Sequence, residues 1–124
     1  MRARLSLFIG FFLIFFLVVW AIHSVNSPQG VWPVVARQKL NRREYDAVID
    51  VRTPMEWAIG HYPYAIHIPS GSFKQELQSK VPEKRMRLLI YCNTATRARW
   101  AAEEARRQGY MSVEYLIGPH WTIM

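Results

Sequence analysis

The sequence predicts a parallel α/β domain carried behind an apolar N-terminal helix. Short apolar or β-branched runs at 45–51, 65–68, 87–91 and 112–116 alternate with helix-competent stretches at 54–59, 73–80 and 96–108. Strands buried on both faces read as continuous apolar runs, and helices are the usual crossovers between parallel neighbours. Residues 5–22 hold 18 consecutive uncharged, mostly apolar positions, which no small soluble core would contain. What remains, roughly one hundred residues, is one small domain.

As a helix, residues 5–22 cover ~27 Å, enough to span a bilayer. Arg2 and Arg4 lie directly before this run, whereas the first basic residue after it is Arg37. Positive charge stays on the cytoplasmic side, so the N-terminus is expected there and residues 23–124 across the membrane, in the periplasm if the source is bacterial. A cleaved signal peptide is the alternative, with Arg2 and Arg4 as its basic region and Val19, Trp20 and Ala21 near the cleavage position. The apolar run is longer than a signal peptide needs and no polar spacer precedes Ala21, which favours a signal-anchor helix over residues 1–22.

Residues 23–33 include Ser24, Asn26, Ser27, Pro28, Gly30 and Pro33, a turn-rich composition. They predict a tether over 23–41, with a short helix in 34–43, and a folded domain over 42–124. Tyr45 to Val51 is a buried strand. Pro54 suits the first turn of a helix ending at Ile59, with Gly60 as its cap. Ala65 to Ile68 is a strand closed by Pro69, and the helix from Phe73 to Lys80 is stopped by Pro82. Arg87 to Tyr91 is a strand, residues 96–108 a helix capped by Gly109, and Ser112 to Leu116 a further strand.

The formal charge is +7; of 16 basic residues two precede the apolar run, leaving 14 against 9 acidic and a net +5 for the remainder. That balance suits a small anionic substrate or an anionic membrane surface. Nucleic acid is not an expected partner, because no recognition motif or stacking-aromatic pattern accompanies the charge. His67 and His120 lack metal-ligand spacing, so neither a metal site nor a cofactor is expected.

Cys92 is the one cysteine, placed where the apolar run 88–91 passes into a helix. Packing, intermolecular pairing and nucleophilic chemistry are all open to a lone cysteine. Its position favours chemistry: parallel sheets place their sites at the carboxyl ends of strands, and a helix N-terminus presents amides and a positive dipole end that stabilise a thiolate.

Taken in order, Asp50-Val51-Arg52, Pro54, Glu56-Trp57, Gly60-His61 and Ala65 to Pro69 resemble the first signature of the rhodanese family. Tyr91-Cys92 to Arg97, Gly109-Tyr110 and Leu116 to Gly118 resemble its second. The resemblance covers about residues 42–121 and is nearest the small single-domain periplasmic rhodaneses of the phage-shock type. It implies a three-layer fold, a parallel sheet with helices on both faces, and a thiosulfate-type sulfurtransferase without cofactor. Cys92 would take a sulfane sulfur as a persulfide and pass it to cyanide, a thiol or a protein acceptor. Asn93, Thr94, Ala95, Thr96 and Arg97 would form the substrate loop, with Asp50, Arg52 and Arg99 in support. Four residues separate Cys92 from Arg97, where tyrosine phosphatases have five, which disfavours phosphate chemistry.

Ala95 and Tyr64 stand where the family commonly has glycine, and Pro119 where a second glycine would follow Gly118. An alanine forced into positive φ at position 95 would distort the loop at a cost of about 1 kcal/mol. Asp50, Arg52 and Glu56 read mainly as structural partners and His61 as a structural corner, while His120 and Trp121 are expected at the pocket rim. The alternative to an enzyme is a catalytically weak rhodanese-like module at the membrane that binds a partner, carries persulfide or senses redox state through Cys92.

Overall fold

The computed structural model describes residues 2–124. Helix α1, Arg2–Asn26, is followed by β1 (Gln29–Val31), α2 (Pro33–Asn41), β2 (Ala47–Asp50), α3 (Pro54–Ile59) and β3 (Ile66–His67). Then come α4 (Phe73–Lys80), β4 (Arg87–Tyr91), α5 (Ala95–Arg107), β5 (Ser112–Leu116) and a 3-10 turn at His120–Ile123. The strands form one five-stranded sheet in the order β1-β5-β4-β2-β3, with every pair parallel. This is the α/β fold class expected, with an apolar helix ahead of it.

Alternation along the central strands builds two cores. Ala47, Ile49 and Val51 of the β2 segment, with Leu88, Ile90 and Cys92 of the β4 segment, face α4 and α5. They meet Phe73 and Leu77 from one helix and Ala98, Ala101, Ala102 and Ala105 from the other. The alanines let α5 lie close to the sheet. On the opposite face Val48, Leu89, Tyr91 and Leu116 pack with Val31, Ala36 of α2 and Ile123 of the terminal turn. The sheet is therefore covered on both sides, as a parallel sheet requires.

The expected tether over 23–41 is largely structured. Residues 29–31 are β1, an edge strand in register with β5 from Gln29↔Glu114 to Val31↔Leu116, and residues 33–41 are α2. The backbone N–H of Ile117 also donates to Val31 O at 2.9 Å. Only Ser27 and Pro28 separate α1 from β1. Gly30 packs closely here: a Cβ at that position would lie 2.6 Å from Ile117 Cδ1 and 3.0 Å from Tyr115 Cζ, so the Ile117 side chain would have to shift.

Among the described residues α1 is the one helix long and apolar enough to cross a membrane, over Arg4–Ser24, and none of that stretch is buried against the domain. Met1, the first residue of the expected anchor 1–22, lies outside the described residues. Helix α5 ends where Gly109 takes φ +100° and the Tyr110 N–H returns to Ala105 O at 3.1 Å, a left-handed stop that glycine permits.

Candidate functional site

Cys92 follows the last residue of β4 and points to the α4/α5 face of the sheet, where it is fully buried. Asn93 and Thr94 then turn the chain into α5. Thr94 is the N-cap, its hydroxyl accepting from the Arg97 N–H at 3.5 Å. The amides of Asn93, Thr94, Ala95 and Thr96 donate to no partner among the described residues, as the first turn of a helix leaves its amides. These free donors belong to the loop that follows Cys92 and to the positive end of a 13-residue helix.

The strain expected at Ala95 is absent. Ala95 opens α5, and Arg43 is the one non-glycine residue with positive φ among the described residues. A residue at the first helical position needs ordinary helical dihedrals, so alanine fits there without penalty.

Helix α3 supplies the wall opposite this loop. Thr53 and Glu56 form a capping box: the Thr53 hydroxyl accepts from Glu56 N–H at 3.2 Å, and Glu56 Oε1 accepts from Thr53 N–H at 3.2 Å. Held in this way, the Glu56 carboxylate reaches across to accept from Asn93 Nδ2 and from Arg97, at 3.4 Å and 3.5 Å. Burial pushes its pKa up, but the Thr53 N–H, the Arg97 guanidinium and the Thr53 hydroxyl outweigh it, and the carboxyl is held down at about 2.

His120 completes the chain of contacts, with Nδ1 2.5 Å from Asn93 Oδ1. Because Asn93 Nδ2 donates to Glu56, its Oδ1 is an acceptor and His120 Nδ1 carries the proton. Burial, then the charge of Arg52, lower the His120 pKa against the opposite pull of Asp50 and Glu56, so the ring is held neutral. Its Nε2 has no hydrogen-bond partner among the described residues. Residues 56, 93, 97 and 120, remote in sequence, thus meet over one loop.

Of the expected supporting residues, Asp50 and Arg52 form a buried pair at the end of β2. Arg52 Nε lies 3.1 Å and 3.0 Å from the two Asp50 oxygens, Nη2 lies 2.8 Å from Oδ2, and the Arg52 N–H donates to Oδ1 at 2.8 Å. Nη2 also donates to Gly60 O at 2.5 Å, tying β2 to the end of α3. Burial opposes the Arg52 charge, yet the hydrogen bonds and charge of Asp50 prevail and raise its pKa. Arg99 is not brought into the cluster. It projects from the outer side of α5 and pairs with Glu103 at 3.1 Å, one turn further on.

His61 stacks on Trp57 with ring centroids 3.4 Å apart and holds Trp57 O through Nδ1 at 2.9 Å, a corner contact. The carboxylate of Glu56 was read from sequence as a structural partner, and it is both that and a direct neighbour of the Cys92 loop. The Thr-x-x-Glu spacing at 53–56 signals the cap, though nothing local signals the reach to Asn93. Among the described residues no group of three or more His, Cys, Asp or Glu is placed to hold a metal ion.

The family model described as a rhodanese-like domain matches residues 33–118. The chain is 35% identical over 66 residues to the thiosulfate sulfurtransferase PspE of Escherichia coli, covering 53% of this chain and 64% of that protein. It is 30% identical over 74 residues to a tRNA uridine(34) hydroxylase of Sodalis glossinidius, covering 56% of this chain and 21% of that protein. A solved rhodanese with anions from E. coli superposes with a TM-score of 0.56 at 33% identity, covering 59% of this chain and 86% of that one. The chain thus spans less than two thirds of either curated relative's length.

Proposed function

The chain belongs to the rhodanese family, and we propose that within it this protein is a membrane-anchored sulfurtransferase working through Cys92. The observation that carries the reading is the lone cysteine at the carboxyl end of β4, beside four unpartnered loop amides and the start of α5. Its likeness to PspE supports the same chemistry.

In the proposed reaction the Cys92 thiolate attacks the outer sulfur of thiosulfate. A Cys92 sulfur–sulfur bond forms, the donor's own sulfur–sulfur bond breaks, and sulfite leaves with the electron pair. An acceptor thiolate or cyanide then attacks the terminal sulfur and returns Cys92 as thiolate. A persulfide anion needs hydrogen-bond donors rather than a base, and the amides from Asn93 to Thr96 supply them. Arg97 is shared with Glu56 at rest, so a donor anion competes with that carboxylate for the guanidinium. Asp50 and Arg52 act by fixing the end of β2 and α3 rather than by touching substrate.

For the organisation of the chain, we assign α1 to the membrane as a signal anchor with its N-terminus in the cytoplasm, and the sulfur-handling domain, from β1 onward, to the far side. Mass spectrometry after incubation with thiosulfate is expected to show one added sulfur on Cys92, with thiocyanate formed on adding cyanide. No adduct and no thiocyanate would refute the assignment. A second reading, a slow persulfide carrier or redox-sensing module, draws on the full burial of Cys92. It predicts a stable adduct with little turnover, or sulfenic acid formed with peroxide in preference to sulfur uptake.

A further inference from the structure

The outer face of α5 bears arginines that the sulfur site does not use, and they stand at the end of the apolar helix. A groove of about 660 Å³ lies between them, lined by His23 at the end of α1 and Ser27 just after it, by Arg99, Glu103, Arg106 and Arg107 of α5, and by Tyr115 of β5. That volume is within the usual range of small-molecule sites, about 300–1,000 Å³. Arg99 and Arg107 each give Nε to a glutamate, Glu103 at 3.1 Å and Glu104 at 3.0 Å. Their terminal nitrogens have no partner among the described residues. Arg106 donates to Met111 O, which holds its guanidinium at the groove. Three arginines against two glutamates leave the groove with an excess positive charge.

Its depth relative to a bilayer follows from the chain path. The candidate span ends at Ser24, exposed Trp20 marks the interfacial level near its end, and β1 begins at Gln29 after two connecting residues. No tether separates domain from membrane, so the groove lies at headgroup height. Guanidinium forks match phosphate oxygens, and a membrane surface raises the local concentration of anionic headgroups.

We propose that this groove holds the phosphate of an anionic phospholipid headgroup, seating α5 against the bilayer; the inference rests on the reading of α1 as a membrane anchor. Because β1 leaves the membrane and the other strands run parallel to it, the carboxyl ends of the strands, Cys92 among them, then face away from the bilayer.

The test uses the full chain in phosphatidylcholine bilayers doped with spin-labelled phosphatidylglycerol or spin-labelled phosphatidylcholine, reading the motionally restricted fraction of each by electron paramagnetic resonance. A preference of about fivefold for phosphatidylglycerol is expected from one excess charge at the surface. R99Q/R107Q should bring it to one or below, with an unchanged far-UV circular dichroism spectrum. If that double variant fails to fold, Arg99→Gln alone should at least halve the preference.

Equal restriction of the two lipids, or a preference that survives R99Q/R107Q, overturns the proposal. So does loss of the preference to millimolar inorganic phosphate but not to chloride of equal ionic strength, which assigns the groove to free phosphate. Displacement by a short single-stranded RNA, again at matched ionic strength, overturns it in favour of nucleic acid. Extraction by alkaline carbonate separates the two levels: a released chain refutes the anchor and the groove's lipid together, whereas a retained chain without lipid preference refutes the groove alone.

Discussion

Replacing Arg52 by methionine keeps most of the side-chain stem and removes the guanidinium from a site that is 1% exposed. Asp50, itself fully buried, then loses three close side-chain contacts and keeps the residue 52 N–H at 2.8 Å beside the neighbouring Tyr91 hydroxyl. An uncompensated buried charge of this kind costs about 3–5 kcal/mol. Against a total stability of about 5–15 kcal/mol for a small domain, that is a large fraction. At about 4–8 °C per kcal/mol, the melting temperature should fall by roughly 12–40 °C. The paired variant Asp50→Leu with Arg52→Met removes both charges and leaves two neutral groups without partners, the backbone N–H of residue 52 and the part-buried Gly60 carbonyl. It should recover most of the loss, since apolar replacement of a buried pair is often neutral or stabilising. Thermal melts of wild type, both single variants and the double variant give the coupling directly. An Arg52→Met cost below about 1 kcal/mol, or a double variant as unstable as the single, would refute the claim that this pair is a mutually compensated structural clamp.

Three further outcomes test neighbouring parts of the account. Glu56 has its folded pKa held at about 2 against an ordinary value of 4.5, so the stability it contributes is present above pH 4.5 and lost as pH falls toward 2. Glu56→Gln should flatten the melting-temperature slope in that window, leaving a remainder that includes Asp46, whose carboxyl is also held at about 2 by Arg87. Thr53→Ala removes the α3 cap and should cost about 1 kcal/mol by chemical denaturation, with unchanged stability counting against the capping box. Gly30→Val should cost about 1–3 kcal/mol by overpacking against Ile117 and Tyr115, and a neutral result would mean that these side chains give way without cost.

Most of the sheet was legible because its strands are locally distinctive. Arg87–Tyr91 and Ser112–Leu116 are found at their expected bounds, as are the helices Pro54–Ile59 and Phe73–Lys80, each bracketed by proline or glycine. The strand β1 was not, and the reason is physical. Gln-Gly-Val has no apolar period of its own, and two of its three residues are exposed. It becomes a strand only by pairing with β5, some 85 residues away in sequence. The site divides in the same way. Cys92 and its loop are contiguous, so their placement before α5 could be read from residue order. The link from Glu56 through Asn93 to His120 joins positions 37 and 27 residues apart and depends on how the sheet order sets α3 and the C-terminal turn beside the loop. Arg99 illustrates the converse: close to Arg97 in sequence, it projects from the outer side of α5, because two helical residues turn the side chain by about 200°.

The central claim is that Cys92 carries sulfur. Its most direct measurement is the intact mass of the full chain after thiosulfate and removal of excess donor, wild type beside Cys92→Ser. The account predicts one added sulfur atom on wild type, lost again on cyanide treatment with stoichiometric thiocyanate, and none on Cys92→Ser. An unmodified wild-type chain, or equal sulfur uptake by Cys92→Ser, would contradict it.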